Sequence, residues 1–316
     1  TRASKIHLEV RSHQSDEILF EIYDGDPDAI GSVVELLPTV LPPLMVSSVA
    51  TDDPTIVLAT NDVLHSAERN LSEKFPWMTE AAQGLLRSQY LRTVEGPAPF
   101  RFPPTLLLGA SGTAKTSFAY ALAEETGVPV LYVSAAGKTG SLEIIGSSQA
   151  YQNAQPSVGV KAIAKLGCLN PIVIVDEVDK FGQSTQNGDP YGALATMVES
   201  HTARAYLDDF TGAQVDLSLI SWIFTANAVE PLQGPLLDRL EIVRVHRPTA
   251  GHFPQILQRA LHEIARDAGV AIESLPELSP NVVKAIRDNF RTGVSLRRVK
   301  AAIAKSLEIA ARHRSA

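Results

Sequence analysis

Cysteine is almost missing from this sequence: Cys168 is the only one in 316 residues. That excludes an intramolecular disulfide framework and fits a reducing, cytoplasmic setting. Cys168 itself stands just ahead of an apolar stretch and reads as a small buried hydrophobe rather than a reactive thiol. No apolar run approaches the roughly 20 residues of a membrane span, and no signal peptide is visible. No internal repeat or low-complexity tract stands out. Positive charge is not in excess either. The net charge of −7 argues against nucleic acid as a partner and leaves room only for a local basic patch. What remains, 45% hydrophobic and 20% charged, is the composition of a soluble globular protein, long enough for two or three domains. The chain begins Thr-Arg-Ala, so a start further upstream is expected.

The most informative stretch runs from Thr105 to Thr116. Leu106, Leu107 and Leu108 read as a short buried strand, Gly109 opens a loop, and Ser117–Glu124 continues as a helix of good formers. The loop matches the phosphate-binding pattern G-x-x-x-x-G-K-[ST] in every position but one, with Ala114 in place of the second glycine. Inward amides from Gly109, Ser111, Gly112, Thr113 and Ala114, with the helix N-terminus at Ser117, make an anion cradle. Lys115 is placed to reach the outer phosphates, and the Thr116 hydroxyl to help hold Mg²⁺. Ala114 adds a methyl where backbone passes near phosphate, so its φ must be one that alanine tolerates. Replication helicases of the minichromosome-maintenance type resemble this loop, with Ala-Lys-Ser in the same place, so the change does not read as disabling.

Ahead of that loop, Lys5–Val10 and Glu17–Tyr23 alternate apolar and polar residues as paired strands with one wet face do. A turn at Asp24–Asp28 precedes an amphipathic Ala29–Leu37. Asp24, Asp26, Asp28 and Glu35 fall at calcium-loop spacing, but Ala29 stands where glycine is needed and Gly31 where an apolar residue is, so a solvated turn is preferred. Pro38–Pro54 reads as a connector and Thr55–Ala59 as another strand. Helical periodicity follows, with Asn61 capping Asp62–Leu71 and Thr79 capping Glu80–Val94. Beyond the loop, strands at Pro129–Ser134, Pro171–Asp176, Leu219–Ala226 and Glu241–His246 alternate with helices at Ser157–Leu166 and Ala193–His201. Alternation of this kind predicts an α/β fold with a parallel sheet covered by helices on both faces. After Pro248 only helices are expected: His252–Ala268, Ser279–Asn289 and Ser295–Arg314. The divisions are a small α+β N-terminal module at 1–60, a large α/β nucleotide-binding domain at 61–247 and a helical lid at 248–316.

The strand Ile172–Asp176 ends in two carboxylates, and ligands of parallel sheets collect at the carboxyl ends of strands. Asp176 is placed for the Mg²⁺ shell and Glu177 to orient and polarise an attacking water, against the plainer reading of a strand end capped by acids. Asn227 ends the strand after it and could hold water against the outer phosphate, or be a turn asparagine. Arg239, in Pro235-Leu-Leu-Asp-Arg-Leu240, could reach the phosphates of a neighbouring subunit, or pair with Asp238 or Glu241.

In this order the motifs resemble the AAA+ ATPases, a P-loop NTPase family, and most closely the ATPase module of the Lon proteases. Asn170–Lys180, Gly188-Asp-Pro190, Phe224–Asn227 and Gly234–Arg239 are similar to Lon segments. Gly146–Pro156 resembles a protease-less, Lon-like group still more. The resemblance covers about 100–316. It implies phosphate and magnesium roles for Lys115 and Thr116, metal and water roles for Asp176 and Glu177, a first sensor at Asn227 and a trans-acting finger at Arg239. It also implies a pore loop in which Tyr151 grips substrate polypeptide; a tyrosine folded over its own loop is the alternative. The family's second sensor is an arginine after Gly-Val. Here Gly293-Val-Ser-Leu-Arg-Arg298 has serine there, and the sensor is assigned to Arg297, with Arg298 or a solvated helix face as rivals. The protease domain that follows the lid in Lon is not in the sequence, which a protease-less protein and a trimmed chain would share. The expected function is ATP-driven, chaperone-like remodelling of a protein client by a ring of six subunits. A nucleotide-gated scaffold with little hydrolysis and a DNA-linked machine are the alternatives.

Overall fold

The computed structural model describes residues 5–12, 18–22, 54–137, 141–151, 154–182, 189–232, 234–291 and 294–314. The turn at Asp24–Asp28, the helix expected at Ala29–Leu37 and the calcium-loop spacing lie outside those residues, as do Gly188 and Gly293. Strands β1 (Lys5–Ser12) and β2 (Ile18–Ile22) pair antiparallel, with Val10 opposite Phe20. β1 also pairs with β3 (Thr55–Ala59), which in turn meets the two-residue β4 (Ala98–Pro99).

β3 is more than the last strand of an N-terminal module. The buried amide of Asn170 accepts from Val57 N at 2.8 Å and donates to the carbonyls of Val57 (2.9 Å) and Phe100 (3.0 Å). Thr55 also bridges to Cys168, which is buried as its sequence context suggested. A buried amide with all these partners fixes register, because leaving any of them unpaired is costly. β3 is thereby built into the α/β core.

Helices α1 (Asn61–Lys74) and α2 (Thr79–Arg92) follow. The cap of α1 is Thr60, whose side chain accepts from Val63 N at 3.3 Å. Asn61, the expected cap, instead accepts from the Thr93 hydroxyl at 2.7 Å. Thr79 begins α2 without capping it and donates to the Pro76 carbonyl at 3.2 Å.

Then come β5 (Thr105–Leu108), α3 (Lys115–Thr126), β6 (Val130–Ser134), α4 (Leu142–Ile145), α5 (Val158–Leu166), β7 (Ile172–Asp176), α6 (Pro190–Val198) and α7 (Ser200–Ala203). A hairpin of β8 (Tyr206–Asp208) and β9 (Ala213–Val215) precedes β10 (Ser221–Ala226), α8 (Gly234–Leu237) and β11 (Glu241–Arg244). The five-stranded sheet runs β11-β5-β10-β7-β6, parallel throughout.

Strand alternation divides the core. Val173, Val175, Trp222 and Phe224 face α5 and α6, whereas Ile172, Ile174 and Ile223 face α1, α2 and α3. Each such aliphatic side chain contributes about 1.5–3 kcal/mol on burial. Three helices close the chain: α9 (Phe253–Ala268), α10 (Pro280–Arg291) and α11 (Leu296–Arg314). Phe253, Ile256 and Ala260 on α9 meet Leu296, Val299, Ile303 and Leu307 on α11, the spacing of one helical face turned to another.

Candidate functional site

The loop between β5 and α3 is shaped by close approach. A Cβ on Gly109 would lie 2.3 Å from the Val245 carbonyl oxygen. Gly112 has φ 77°, and a Cβ there would lie 2.7 Å from Ser295 Cβ, just ahead of α11. Ala114 caps α3 with φ 72° and ψ 26°, in the left-handed region. The sequence asked for a φ that alanine tolerates. The position found is instead the one glycine favours, at a cost to alanine of about 1 kcal/mol. The methyl packs against both the cluster around α3 and the lid cluster, which offsets part of that cost.

Lys115 is buried, and its ammonium donates to the carbonyls of Gly109 (2.6 Å) and Ala110 (3.1 Å) and to Asn227 Oδ1 (3.1 Å). Burial pushes its pKa down, against the pull of Asp176, Asp179 and Glu177. Asp176 Oδ1 accepts from Thr116 at 2.8 Å and from the buried Thr225 hydroxyl at 2.5 Å, while Oδ2 accepts from Tyr132 at 3.0 Å. Burial and then the Asp176 charge push the Tyr132 hydroxyl up, so it remains a donor. Glu177 has φ 56°, also left-handed; its N–H donates to Thr225 Oγ1 at 3.0 Å and its carboxylate pairs with Lys180 at 2.5 Å. Asn227 is held through its backbone, the N–H donating to Asp179 Oδ2 at 3.0 Å. Among the described residues only Ala114 and Glu177 combine a side chain with positive φ, and strain gathered at one site is the pattern of a functional constraint.

Ser111, Gly112, Thr113, Ala114, Lys115, Thr116, Ser117, Asp176, Glu177, Asn227 and Arg297 all line one cleft of about 350 Å³. Arg298 does not line it. Loop amides, a helix N-terminus, a lysine, and a threonine beside a carboxylate suit a phosphate chain carrying a divalent cation. A larger hollow of about 1040 Å³ lies between α1, α3 and α9, but none of Lys115, Asp176, Glu177 or Asn227 lines it.

Three expected site residues do not line the cleft: Gly109, whose carbonyl instead accepts from Lys115, and Arg239 and Tyr151. Arg239 is exposed and pairs with Glu199 at 2.7 Å, not with Asp238 or Glu241, and donates to the Pro235 carbonyl at 2.6 Å. Tyr151 is 68% exposed. Its loop is closed by Ser147 N donating to Gln155 O at 2.9 Å.

Apart from Arg297, sequence reasoning missed the lid's share of the cleft. Arg259 and Glu263 on α9 and Lys300 on α11 line it too. The Arg259 guanidinium lies 4.7 Å from the Phe75 ring and 5.8 Å from Trp77, and its Nη1 is buried without a hydrogen-bond partner. Burial lowers its pKa and Glu263, 3.3 Å from Nε, opposes that. Lys300 is lowered by burial but held above its ordinary value by hydrogen bonds to Glu263 and Asp267. The i, i+4 spacing of Arg259 and Glu263 was visible; that it faces the phosphate loop was not. Trp77 donates from Nε1 to the Thr113 carbonyl at 3.0 Å and lies 5.7 Å from the His252 ring. Among the described residues no helix is long and apolar enough to cross a membrane.

Comparisons agree with this geometry. Residues 105–247 match the model for the ATPase family associated with various cellular activities (AAA). A mitochondrial Lon protease homolog of Ostreococcus lucimarinus is 33% identical over 161 residues, 51% of this chain and 17% of that protein. Lon protease of Paraburkholderia phytofirmans is 34% identical over 190 residues, 60% of this chain and 24% of that protein. The match thus spans a quarter or less of the length of these relatives. Among solved structures, the closed state of Hsp104 with ATPγS and FITC casein superposes with TM-score 0.59 at 17% identity, covering 78% of this chain and 46% of that one, a likeness of fold. Over residues 105–247 this chain is thus similar to the AAA family of ATPases.

Proposed function

We propose that this chain is a Mg²⁺-dependent ATPase that couples hydrolysis to remodelling or translocating a protein client in a ring, with six subunits the expected number. The observation that carries the reading is the convergence of Lys115, Thr116, Asp176, Glu177 and Asn227 on one cleft. Lys115 and the loop amides hold the phosphates. Thr116 and Asp176 would hold a magnesium ion, which would supply neutralisation of charge on the phosphates. Among the described residues no cluster of three or more His, Cys, Asp or Glu could hold a metal alone. One carboxylate and one hydroxyl fit a cation that would be held jointly with the nucleotide. Glu177 takes the proton of the attacking water and Asn227 orients that water. Arg297 reads the phosphates from the lid, Arg239 serves the neighbouring subunit, and Tyr151 grips the client. On this reading 61–247 binds nucleotide, 248–316 is the lid, and 1–60 is a module whose last strand is shared with the core.

The test is steady-state turnover of Glu177→Gln, expected to fall at least about 100-fold with ATP binding retained. Unchanged turnover would show that Glu177 is not the water-activating group. Tyr151→Ala is expected to keep hydrolysis within about twofold while client processing is lost; processing at the parental rate would remove the pore role.

The ion pair of Glu177 with Lys180 favours a second reading, a nucleotide-gated scaffold that binds and assembles but hydrolyses little. Turnover equal to that of buffer alongside micromolar ATP binding would select it.

A further inference from the structure

Glu199 occupies the junction of α6 and α7. Its N–H donates to the Ala195 carbonyl at 3.1 Å, and its own carbonyl accepts from Ala203 N at 2.8 Å. The Cα is therefore fixed by two helices. From that fixed point the carboxylate takes Arg239 Nε at 2.7 Å, while Nη1 donates to the Pro235 carbonyl at 2.6 Å. Two of five guanidinium donors are thus held by elements far apart in sequence, which sets the plane of a side chain with large rotamer freedom. Both partners are about one-third exposed (34% and 36%), so the pair does little for the fold and its value is orientation. The other end of α6 is anchored near the subunit's own acids: Tyr191 donates to the Val178 carbonyl at 3.1 Å, one residue past Glu177.

We propose that Glu199 is a positioning residue that aims Arg239 at the nucleotide of the adjacent subunit. The inference rests on Arg239 acting in trans. A guanidinium already oriented needs no reorganisation when charge develops on the phosphates across the interface, whereas an untethered one must first be immobilised.

The test uses full-length chains mixed and re-equilibrated. Arg239→Ala subunits have intact clefts without a finger, and Glu177→Gln subunits have fingers without working clefts. Each alone is nearly inactive, and the mixture recovers activity because an intact cleft meets an intact finger. Glu199→Ala is then added to one partner at a time. On the finger-giving Glu177→Gln subunit it is expected to cut recovered activity about 10-fold or more, and on the Arg239→Ala subunit to change it less than about twofold. Glu199→Gln, which keeps the shape, repeats the comparison should the alanine variant assemble poorly. Equal loss from both sides makes Glu199 a packing residue and overturns the assignment, as does no loss from the finger-giving side. A parent mixture that recovers nothing overturns the trans role of Arg239, and Glu199 with it.

Discussion

The phosphate-loop side of the site and the Arg239–Tyr151 side are finished to different degrees within one chain. Around Asp176 the polar side chains are paired within the chain: Thr116, Thr225 and Tyr132 all donate to one carboxylate, and Lys115 reaches across to Asn227. Arg239 and Tyr151 instead stand exposed outside the cleft, one tethered to Glu199 and the other at the tip of a closed loop. Residues that bind nucleotide must be organised before it arrives, so their neighbours come from β5, β7, β10 and α3 of one core. On the proposed function Arg239 and Tyr151 act on another molecule, and such residues must stay uncovered until that molecule is present.

The strongest test of this contrast is Arg239→Ala. Turnover is expected to fall about 1000-fold with ATP affinity little changed, and parental specific activity should rise with protein concentration. A proven monomer whose activity does not depend on concentration would erase the distinction between the two sides.

A smaller effect concerns Lys115. Phosphate favours the charged ammonium, and burial has moved its pKa below the ordinary 10.5. ATP affinity should therefore weaken as pH rises through that lowered value, and Lys115→Arg should shift the loss to higher pH, since guanidinium stays charged. The nucleotide-free fold responds with the opposite sign. A lysine depressed in the folded state penalises the fold while charged, so stability rises with pH through the same window. Titrating ATP by calorimetry and unfolding the apo protein across that range checks both directions.

Ala114→Gly gives the smallest change. Relief of the left-handed backbone and loss of the methyl contact oppose one another, so unfolding free energy should move by less than about 1 kcal/mol. A larger loss in denaturant titration would mean that the methyl's contact between core and lid outweighs the strain.

Much of this arrangement could be read from local pattern. Ile172–Asp176 and Ser221–Ala226 form where apolar runs end in polar residues, and Lys115, Thr116 and Asp176 meet because parallel strands deliver their C-terminal ends to one edge. Features that depend on distant pairing were not readable. Thr60 caps α1 because Asn61 is drawn to Thr93, 32 residues away. The β8–β9 hairpin has strands of three residues each, too short for a period to declare itself. Glu199 as the partner of Arg239, and Arg259, Glu263 and Lys300 as walls of the cleft, come from docking one unit of structure on another. No window of sequence holds that information.

The two tryptophans differ in the same way, and the difference has a spectroscopic use. Trp222 is sealed within the sheet at 1% exposure, stacked beside Phe224, where its surroundings have little cause to vary. Trp77 has its indole bonded to the carbonyl of Thr113 and its ring near His252 of the lid. Native emission therefore carries one sealed chromophore and one where the phosphate loop meets the lid, so filling of the cleft is expected to change the Trp77 signal without a dye attached.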